Sequence, residues 1–190
     1  AAQHSQCLEA LFAHVPGLKV VMPATPADAK GLLKSAIRDD NPVVFLEHKL
    51  LYEEKGDLPR GEHLVPLGEA DIKREGDDLT IVATSLMVHR ALAAAEAVAE
   101  KVGVEVVDPR TVAPLDMACI AESVQKTGRL LVAQEAPTSG GLGSEIVRRI
   151  VEGDFDALKR PPKVVGAANV PMPFSPPLET AVLPQVEDIV

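Results

Sequence analysis

Segments with apolar residues at helical spacing alternate with short β-branched runs along this chain, and this alternation limits its fold more than any other feature. From residue 79 onward the pattern predicts strands over 79–83, 104–107, 129–134 and 163–166, separated by helices over 86–101, 116–126 and 143–152. Strands joined by crossover helices run parallel, with the helices on the faces of the sheet. The sequence therefore predicts an α/β fold with a mostly parallel sheet.

The first 60 residues repeat the alternation on a smaller scale. Their apolar spacing predicts a short helix over 5–13 with Ser5 as its N-cap, a strand over 18–22, a helix over 26–38 and a buried strand over 43–46. These elements extend the α/β prediction to the whole chain.

The helix over 26–38 has the strongest local signals. Thr25 is a preferred N-cap, Pro26 is tolerated at the first helical position, and Asp28 places a negative charge near the positive helix end. Its apolar face is predicted to contain Ala29, Leu32, Leu33, Ala36 and Ile37.

Three further segments complete the predicted organisation. Residues 48–66 are charged and interrupted by glycine and proline, which predicts a linker and a domain boundary near residue 60. Residues 70–73 and 79–83 flank a polar stretch, which predicts a hairpin. The last 25 residues are rich in proline, and we expect them to wrap the surface or to meet a partner.

Charge and cysteine content exclude several classes of protein. The net charge is -9, with 19 basic against 28 acidic residues and no basic run, which argues against nucleic acid as a partner. Cys7 and Cys119 lack redox or metal-ligand spacing, so we expect buried, reduced thiols. No signal peptide and no run of ~18 apolar residues is present, which predicts an intracellular, cytoplasmic protein without a membrane role.

Polar residues follow three of the predicted parallel strands, where open α/β sheets bind ligands. They are Thr84–Ser85, Asp108–Arg110 and Gln134–Glu135. Structural alternatives remain open, since Asp108 and Arg110 would also serve to cap a turn and pair, and Glu135 to be solvated.

Two further motifs have limited specificity. The segment SGGLGSE, residues 139–145, would admit a phosphate at a helix N-terminus, but it lacks the third glycine and the ribose-binding acid of a dinucleotide site, which favours a tight helix entry. His4 immediately precedes the predicted helix and would meet a ligand there, or lie on the surface. No nucleophile elbow or zinc motif occurs, which excludes the common hydrolase and zinc-site patterns.

Several longer strings resemble one protein family. They are AAQHSQC, HVPGLKVVMPATPADAKGLLKSAIRDDNPVVFLEHKLLY, VDPRTVAPLD, VPMPFSPPLE and LPQVEDIV. They resemble, in register over nearly the whole chain, the β subunit of thiamine-diphosphate-dependent 2-oxo acid dehydrogenases. Pyruvate, branched-chain 2-oxo acid and acetoin dehydrogenases share this pattern.

The resemblance implies a two-part fold and a set of partners. Residues 1–60 are expected to be the C-terminal part of the thiamine pyrimidine-binding domain, and residues 61–190 a transketolase C-terminal-like domain. The implied cofactors are thiamine diphosphate with Mg²⁺ and K⁺. The implied partners are the α subunit, in a heterotetramer of two α and two β subunits, and the lipoyl-bearing acyltransferase core. The implied reaction is decarboxylation of a 2-oxo acid, or cleavage of acetoin, with acyl transfer to lipoamide.

The resemblance also implies site residues. His4 matches the family histidine of the HSQ motif, which faces the cofactor and handles proton steps; a reference pKa of about 6.5 suits a histidine to that work. Ala36, Ile37, Asp39 and Asn41 match the family's potassium site, where oxygens at a helix C-terminus suit a hard cation. The structural alternative is that Asp39 and Asn41 only cap the helix.

Departures from the family pattern leave a rival interpretation open. Pro109 and Ala113 replace a leucine and an arginine of the family motif. The glutamate that contacts the pyrimidine is expected upstream of Ala1, and the motif for Mg²⁺ and diphosphate in the α subunit. We therefore expect a C-terminal portion of the subunit, inactive alone. The alternative is a noncatalytic transketolase C-terminal-type module that dimerises or docks a partner.

Overall fold

The computed structural model describes residues 5–190 and contains eight strands and seven α-helices in that range. The strands are Lys19–Val21 (β1), Val43–Phe45 (β2), Asp71–Arg74 (β3), Leu79–Ala83 (β4), Val104–Asp108 (β5), Thr111–Ala113 (β6), Leu130–Pro137 (β7) and Lys163–Ala167 (β8). The helices are Glu9–Ala13 (α1), Pro26–Arg38 (α2), Leu86–Ala97 (α3), Met117–Thr127 (α4), Leu142–Gly153 (α5), Pro176–Val182 (α6) and Val186–Ile189 (α7), with 3₁₀ turns at Lys49–Leu51 and Phe155–Ala157.

A five-stranded sheet forms the larger part of the fold, in the order β3-β5-β4-β7-β8. Strands β5, β4, β7 and β8 are parallel and only β3 is antiparallel to its neighbour, so the predicted mostly parallel sheet is confirmed. Alternate strand residues face opposite sides and build two apolar clusters. Ile81 packs with helix α3 on one side, and Val82 packs with α4 and α5 on the other.

The predicted hairpin between β3 and β4 is wrong. These strands are not neighbours, because the crossover through α3 brings β5 beside β4 and β3 pairs with the far edge of β5. The connection passes over β5 so closely that a Cβ on Gly76 would lie 2.2 Å from the carbonyl carbon of Val104. Gly76 therefore allows the connection to pass close to the backbone of β5, and it does not form the turn of a hairpin.

A second sheet of three strands, in the order β2-β1-β6, joins the first 60 residues to the rest of the chain. Strand β6, which the sequence analysis missed, pairs antiparallel with β1. The amide of Met22 extends this connection by donating to the carbonyl oxygen of Arg110 at 2.9 Å. Strand β2 is half-buried at the edge of this sheet, so the prediction of a buried strand was too strong.

Helix α2 has the predicted bounds and cap, but only part of the predicted apolar face is buried. The side chain of Thr25 accepts a hydrogen bond from the amide of Asp28 at 3.1 Å. Leu32 is fully buried, whereas Leu33 and Ile37 are exposed. Gly31 packs against Val65, so closely that a Cβ on Gly31 would lie 2.4 Å from a methyl group of Val65. The contact face of the helix is therefore rotated away from Leu33 and Ile37.

Smaller differences concern helix ends. Helix α1 begins at Glu9, with Leu8 as N-cap, so Ser5 does not cap it. Helix α3 ends at Ala97, four residues before the predicted end. The proline-rich tail forms the short helices α6 and α7, and Ile189 of α7 is buried against the α3 side of the sheet.

Among residues 5–190 we find no helix with the length and hydropathy that crossing a membrane requires.

Candidate functional site

The carboxyl end of β4 contacts the segment that follows β1. Ser85 has a φ of 51°, a backbone conformation that residues other than glycine rarely adopt. Its hydroxyl donates to the carbonyl oxygen of Pro23 at 3.3 Å. The imidazole Nε2 of His89 donates to the carbonyl oxygen of Ala24 at 2.7 Å. The end of β4 therefore holds residues 23–24, and does not present Thr84 and Ser85 to an open crevice.

In the turn after β5, Asp108 caps the turn as the structural alternative predicts, but its carboxylate and the Arg110 guanidinium do not pair. The amide of Arg110 donates to Asp108 Oδ1 at 2.9 Å, which fixes the turn, and Arg110 has a φ of 56°. Its guanidinium does not pair with Asp108 but donates to the carbonyl oxygens of Glu69 and Ala70 and to Asp28 Oδ1 at 3.4 Å. Asp28 belongs to helix α2, so this arginine also joins the two parts of the chain.

Lys73 is the centre of a buried charge cluster beside that turn. Its Nζ lies 2.6 Å from Asp28 Oδ2, 2.6 Å from Asp71 Oδ2 and 3.8 Å from Asp108 Oδ2. Burial raises the pKa of Asp28, but hydrogen bonds from Lys73 and Thr25 outweigh it, so that its pKa lies below the ordinary value. Asp28 is therefore ionised in the folded protein near neutrality.

Asp108 differs from the other carboxyls of the cluster. It is fully buried, and its Oδ2 has no hydrogen-bond partner among the described residues. Burial raises its pKa from 3.8 to about 7, against the lowering effect of Lys73. At neutral pH this carboxyl is therefore close to half-protonated, although it lies within 4 Å of an ammonium group.

We expect Asp108→Asn to change the pH dependence of folding. A raised pKa in the folded state means that the stability contributed by the protonated carboxyl is complete below pH 4 and is lost as pH rises through 7. Between pH 5 and 8 the wild-type free energy of unfolding should fall relative to the variant by about 2–3 kcal/mol. Urea unfolding over this range measures it. Asp77→Asn, at an exposed acid beside the opposite end of β5, is the control, and parallel curves for wild type and Asp108→Asn would contradict the prediction.

Glu135, near the carboxyl end of β7, is not solvated but paired. His48 Nε2 lies 2.8 Å from Glu135 Oε2, and both side chains are about four-fifths buried. His48 Nδ1 accepts a hydrogen bond from the amide of Leu50 at 3.2 Å, so Nδ1 carries no proton and Nε2–H donates to the carboxylate. The pair joins residues 87 positions apart and connects the segment after β2 to the five-stranded sheet.

Cavities lie on either side of this pair. A cavity of about 310 Å³ is lined by residues at the carboxyl ends of β1 and β2, by the first turn of α2 and by His48. A smaller one, of about 40 Å³, is lined by Glu135 and by Ser5, Gln6 and Cys7. Burial raises the pKa of Cys7, and the carboxylates of Glu9 and Glu135 raise it further, so Cys7 is a protonated thiol.

The glycine-rich segment before α5 forms a tight helix entry. The amide of Gly143 donates to Gln134 Oε1 at 2.6 Å, and a Cβ on Gly141 would lie 2.0 Å from Gln134 Nε2. The buried side chain of Gln134 thus occupies the position where a phosphate would have to bind.

The four residues matched to a potassium site lie at the end of α2. The amide of Asp39 donates to the carbonyl oxygen of Ala36 at 3.3 Å. Asp39 Oδ1 accepts from the amide and side chain of Asn41, and Oδ2 accepts from Lys19 Nζ at 2.5 Å, which together hold the pKa of Asp39 at about 2. Both carboxylate oxygens of Asp39 are engaged, so the helix-end carbonyl oxygens and the side-chain oxygen of Asn41 are the ones that would suit a cation.

Other predicted site features are distributed as follows. His4 lies outside the described residues. Cys7 and Cys119 form no disulfide in the described structure, and both are half-buried, so the prediction of buried thiols was too strong. Over residues 5–190, no three side chains of histidine, cysteine, aspartate or glutamate are grouped so as to hold a metal ion.

Local sequence patterns do not indicate the partners of two residues in the site. They predict His48 at the beginning of a linker and Asp28 as a charge near the positive helix end, but each pairs with a residue of the later part of the chain. One available signal was position, because His48 lies just after β2 and Glu135 near the carboxyl end of β7, and carboxyl ends of parallel strands collect polar residues.

Comparison with known proteins agrees with this architecture. Residues 68–189 match the transketolase C-terminal domain, and residues 1–55 match the transketolase pyrimidine binding domain. Among solved structures, a split-gene transketolase described as an inactive β4 tetramer superposes with a TM-score of 0.79 at 29% identity, covering 99% of this chain and 60% of that one.

Curated relatives are similar along the whole chain. The β subunit of acetoin:2,6-dichlorophenolindophenol oxidoreductase from Cupriavidus necator is 50% identical over 190 residues, which is all of this chain and 56% of that protein. The pyruvate dehydrogenase E1 component β subunit of Rhizobium meliloti is 46% identical, covering 100% and 42%. The 2-oxoisovalerate dehydrogenase β subunit of Bacillus subtilis is 48% identical, covering 94% and 56%.

The chain thus spans about half the length of the curated relatives that it matches. The longer of the two domain matches covers residues 68–189, which include β4, β5, β7 and β8 of the parallel sheet and all three of its large helices. The chain therefore belongs to the transketolase C-terminal domain family, preceded by a segment of the transketolase pyrimidine binding domain.

Proposed function

We propose that this chain is the C-terminal portion of the β subunit of a thiamine-diphosphate-dependent 2-oxo acid dehydrogenase. The supporting observation is identity of 46–50% to β subunits of acetoin and pyruvate dehydrogenases over the full chain. The reaction is decarboxylation of a 2-oxo acid, or cleavage of acetoin, followed by acyl transfer to lipoamide. In that transfer the acyl carbon is oxidised as the lipoamide S–S bond is reduced, so that one sulfur carries the acyl group and the other a proton.

The cofactor would be held mainly by residues outside this chain. Thiamine diphosphate supplies the carbon nucleophile that the reaction needs. The residues described here do not fit its diphosphate, because Gln134 fills the glycine-rich helix entry, and we assign Mg²⁺ and the diphosphate to the α subunit. Residues 1–60 would complete the domain for the pyrimidine, and residues 61–190 form the C-terminal-like domain.

His4 is the proposed catalytic residue of this chain. By its match to the HSQ motif, it would exchange protons with the 2-oxo acid and the acyl group, which an imidazole does near neutral pH. The small cavity beside residues 5–7 is compatible with a site at this segment.

Potassium would bind at the end of α2. We propose Ala36, Ile37, Asp39 and Asn41 as the site, with backbone oxygens and the side-chain oxygen of Asn41 as ligands, because both carboxylate oxygens of Asp39 already accept hydrogen bonds. Lys19 offsets the charge of that carboxylate, so the negative ends of the carbonyl groups would attract the cation.

The partners would be those of a multienzyme complex. We propose an α subunit, in a heterotetramer of two α and two β subunits, and a lipoyl-bearing acyltransferase core that accepts the acyl group. A cytoplasmic location fits the two free thiols.

One reconstitution tests this function. The complete β subunit is coexpressed with its α subunit and assayed with thiamine diphosphate, Mg²⁺ and K⁺ on pyruvate, 2-oxoisovalerate and acetoin, with 2,6-dichlorophenolindophenol as electron acceptor. We expect turnover of at least one substrate by the pair, and none by the 190-residue chain alone. Lack of turnover by the pair on all three substrates, or 2-oxo acid decarboxylation by the chain alone, would refute the proposal.

A further inference from the structure

The cavity of about 310 Å³ beside His48 has the chemistry of a site for a neutral, aliphatic ligand. Its volume lies at the lower end of the roughly 300–1,000 Å³ found for small-molecule sites. Most of its lining is apolar, including Pro23, Ala29, Leu51 and Leu58. These residues lie around the carboxyl ends of the parallel strands β1 and β2, the edge at which α/β sheets bind ligands.

The charges in the cavity wall disfavour an anionic ligand. Glu47 and Glu54 contribute carboxylates, and the ammonium of Lys30 donates to the carbonyl oxygen of Pro59 at 2.6 Å. The hydroxyl of Tyr52 donates to Glu47 at 3.2 Å. A small 2-oxo acid would bring its own carboxylate next to these two acids, whereas a neutral chain would meet mainly apolar atoms and would add no like charge.

One wall of the cavity is anchored to the five-stranded sheet through His48. The wall includes the 3₁₀ turn Lys49–Leu51 and Tyr52, and residues 52–58 contain no regular hydrogen-bonded element. His48 caps this turn through Nδ1 and is held through Nε2 by Glu135 on β7, a strand paired on both sides. The carboxylate thus fixes both the tautomer and the orientation of the imidazole that caps the turn.

We propose that Glu135, acting through His48, is a positioning residue for the acyl acceptor: it holds the 49–52 segment as the wall of a cavity that takes the neutral aliphatic arm of lipoamide. This rests on the proposed function, which supplies lipoamide as the acceptor. The carboxylates and the apolar side chains that line the cavity then favour the neutral acceptor over the anionic 2-oxo acid.

Glu135→Ala in the complete β subunit, paired with α, tests the proposal in two assays. With lipoamide as acceptor, we expect KM for lipoamide to rise roughly tenfold with kcat within about twofold, the consequence of losing a hydrogen bond to a charged group. With 2,6-dichlorophenolindophenol, which takes the electrons without lipoamide, the rate and the KM for the 2-oxo acid should change less than the KM for lipoamide. Glu135→Gln retains an acceptor oxygen for His48 and should restore most of the lipoamide affinity. Glu100→Ala, at an exposed acid after α3, is the matched control.

A spectroscopic measurement separates this inference from the proposed function. The ¹⁵N shifts of His48 in the 190-residue chain at pH 8 should show a proton on Nε2 and none on Nδ1, and Glu135→Ala should alter this pattern. An unchanged KM for lipoamide, an equal loss in both assays, or a proton on Nδ1 in the wild type would overturn the inference. If the dye assay shows no turnover in the wild-type pair, the proposed function fails instead.

Discussion

Replacing His4 by alanine in the complete enzyme should lower acyl transfer by about 100- to 10,000-fold, the usual contribution of a general acid–base group. The expectation rests on the match of His4 to the HSQ motif, and on the need for proton transfer in forming and releasing the acyl group. Assembly with the α subunit should remain intact, because the change removes one side chain from a segment that precedes the first helix of the chain. Lipoamide-dependent turnover and size-exclusion chromatography measure the two effects.

A nearby histidine provides the control. His14 follows α1 and is exposed, so His14→Ala should leave turnover unchanged. Wild-type rates in His4→Ala would contradict the catalytic role and favour the rival interpretation, a noncatalytic transketolase C-terminal-type module. Loss of turnover together with loss of α-subunit binding would also contradict it, because His4 would then act in assembly.

Local sequence signals were sufficient for the elements that depend on local interactions. Helix α2 begins and ends where predicted because Thr25 caps it, Pro26 opens it and the Asp39–Asn41 turn closes it. Apart from β6, the strands and helices from β4 to β8 also follow the predicted order, with α3 ending earlier than expected. Each of these elements has its own apolar period, which the sequence displays directly.

Pairing between distant strands was not available from the same signals. Residues 71–74 and 79–83 have the composition of a hairpin, but which strand lies beside β4 depends on the path of α3. Strand β6 has three residues, too few for a period, and its partner β1 lies about 90 positions away. A short strand of this kind is defined by its partner more than by its own residues.

Local sequence patterns also did not predict the side-chain contacts that join the two parts of the chain. The sequence marks Glu135 as the end of a strand and His48 as a charged residue after another, but only the packing of the sheets shows that they meet. The same holds for the exposed Leu33 and Ile37, because helical spacing identifies an apolar face without identifying what covers it.

Asp28→Ala should strongly destabilise the fold. The carboxylate is almost fully buried, accepts from Lys73 and Thr25 at 2.6 Å each, and lies 3.4 Å from Arg110. Breaking a buried ion pair by removing one partner costs about 3–5 kcal/mol, because the other charge is left without compensation. Lys73 retains Asp71 and Asp108 as neighbours, so we expect the lower end, about 3 kcal/mol in the free energy of urea-induced unfolding.

A surface pair between the same two parts of the chain gives the matched control. Arg38 and Glu62 form an ion pair at 2.5 Å, but both side chains are more than half exposed. Solvent screens such pairs and the flexible side chains lose entropy in forming them, so Glu62→Ala should leave unfolding unchanged. A large effect of Glu62→Ala, or a negligible effect of Asp28→Ala, would mean that burial does not govern these contacts.

The double variant Asp28→Ala/Lys73→Met decides why the single change is destabilising. If the loss comes from the unpaired ammonium, removing that ammonium as well should recover part of it, and the double variant should be more stable than the sum of the single effects predicts by about 1–2 kcal/mol. If the loss comes from the N-terminal turn of α2, where Asp28 also interacts with Thr25, the two effects should add. Since Asp28 belongs to the first 60 residues and Lys73 to the rest, a coupling energy measured in this way is also a direct measure of how strongly the buried cluster holds the two parts of the chain together.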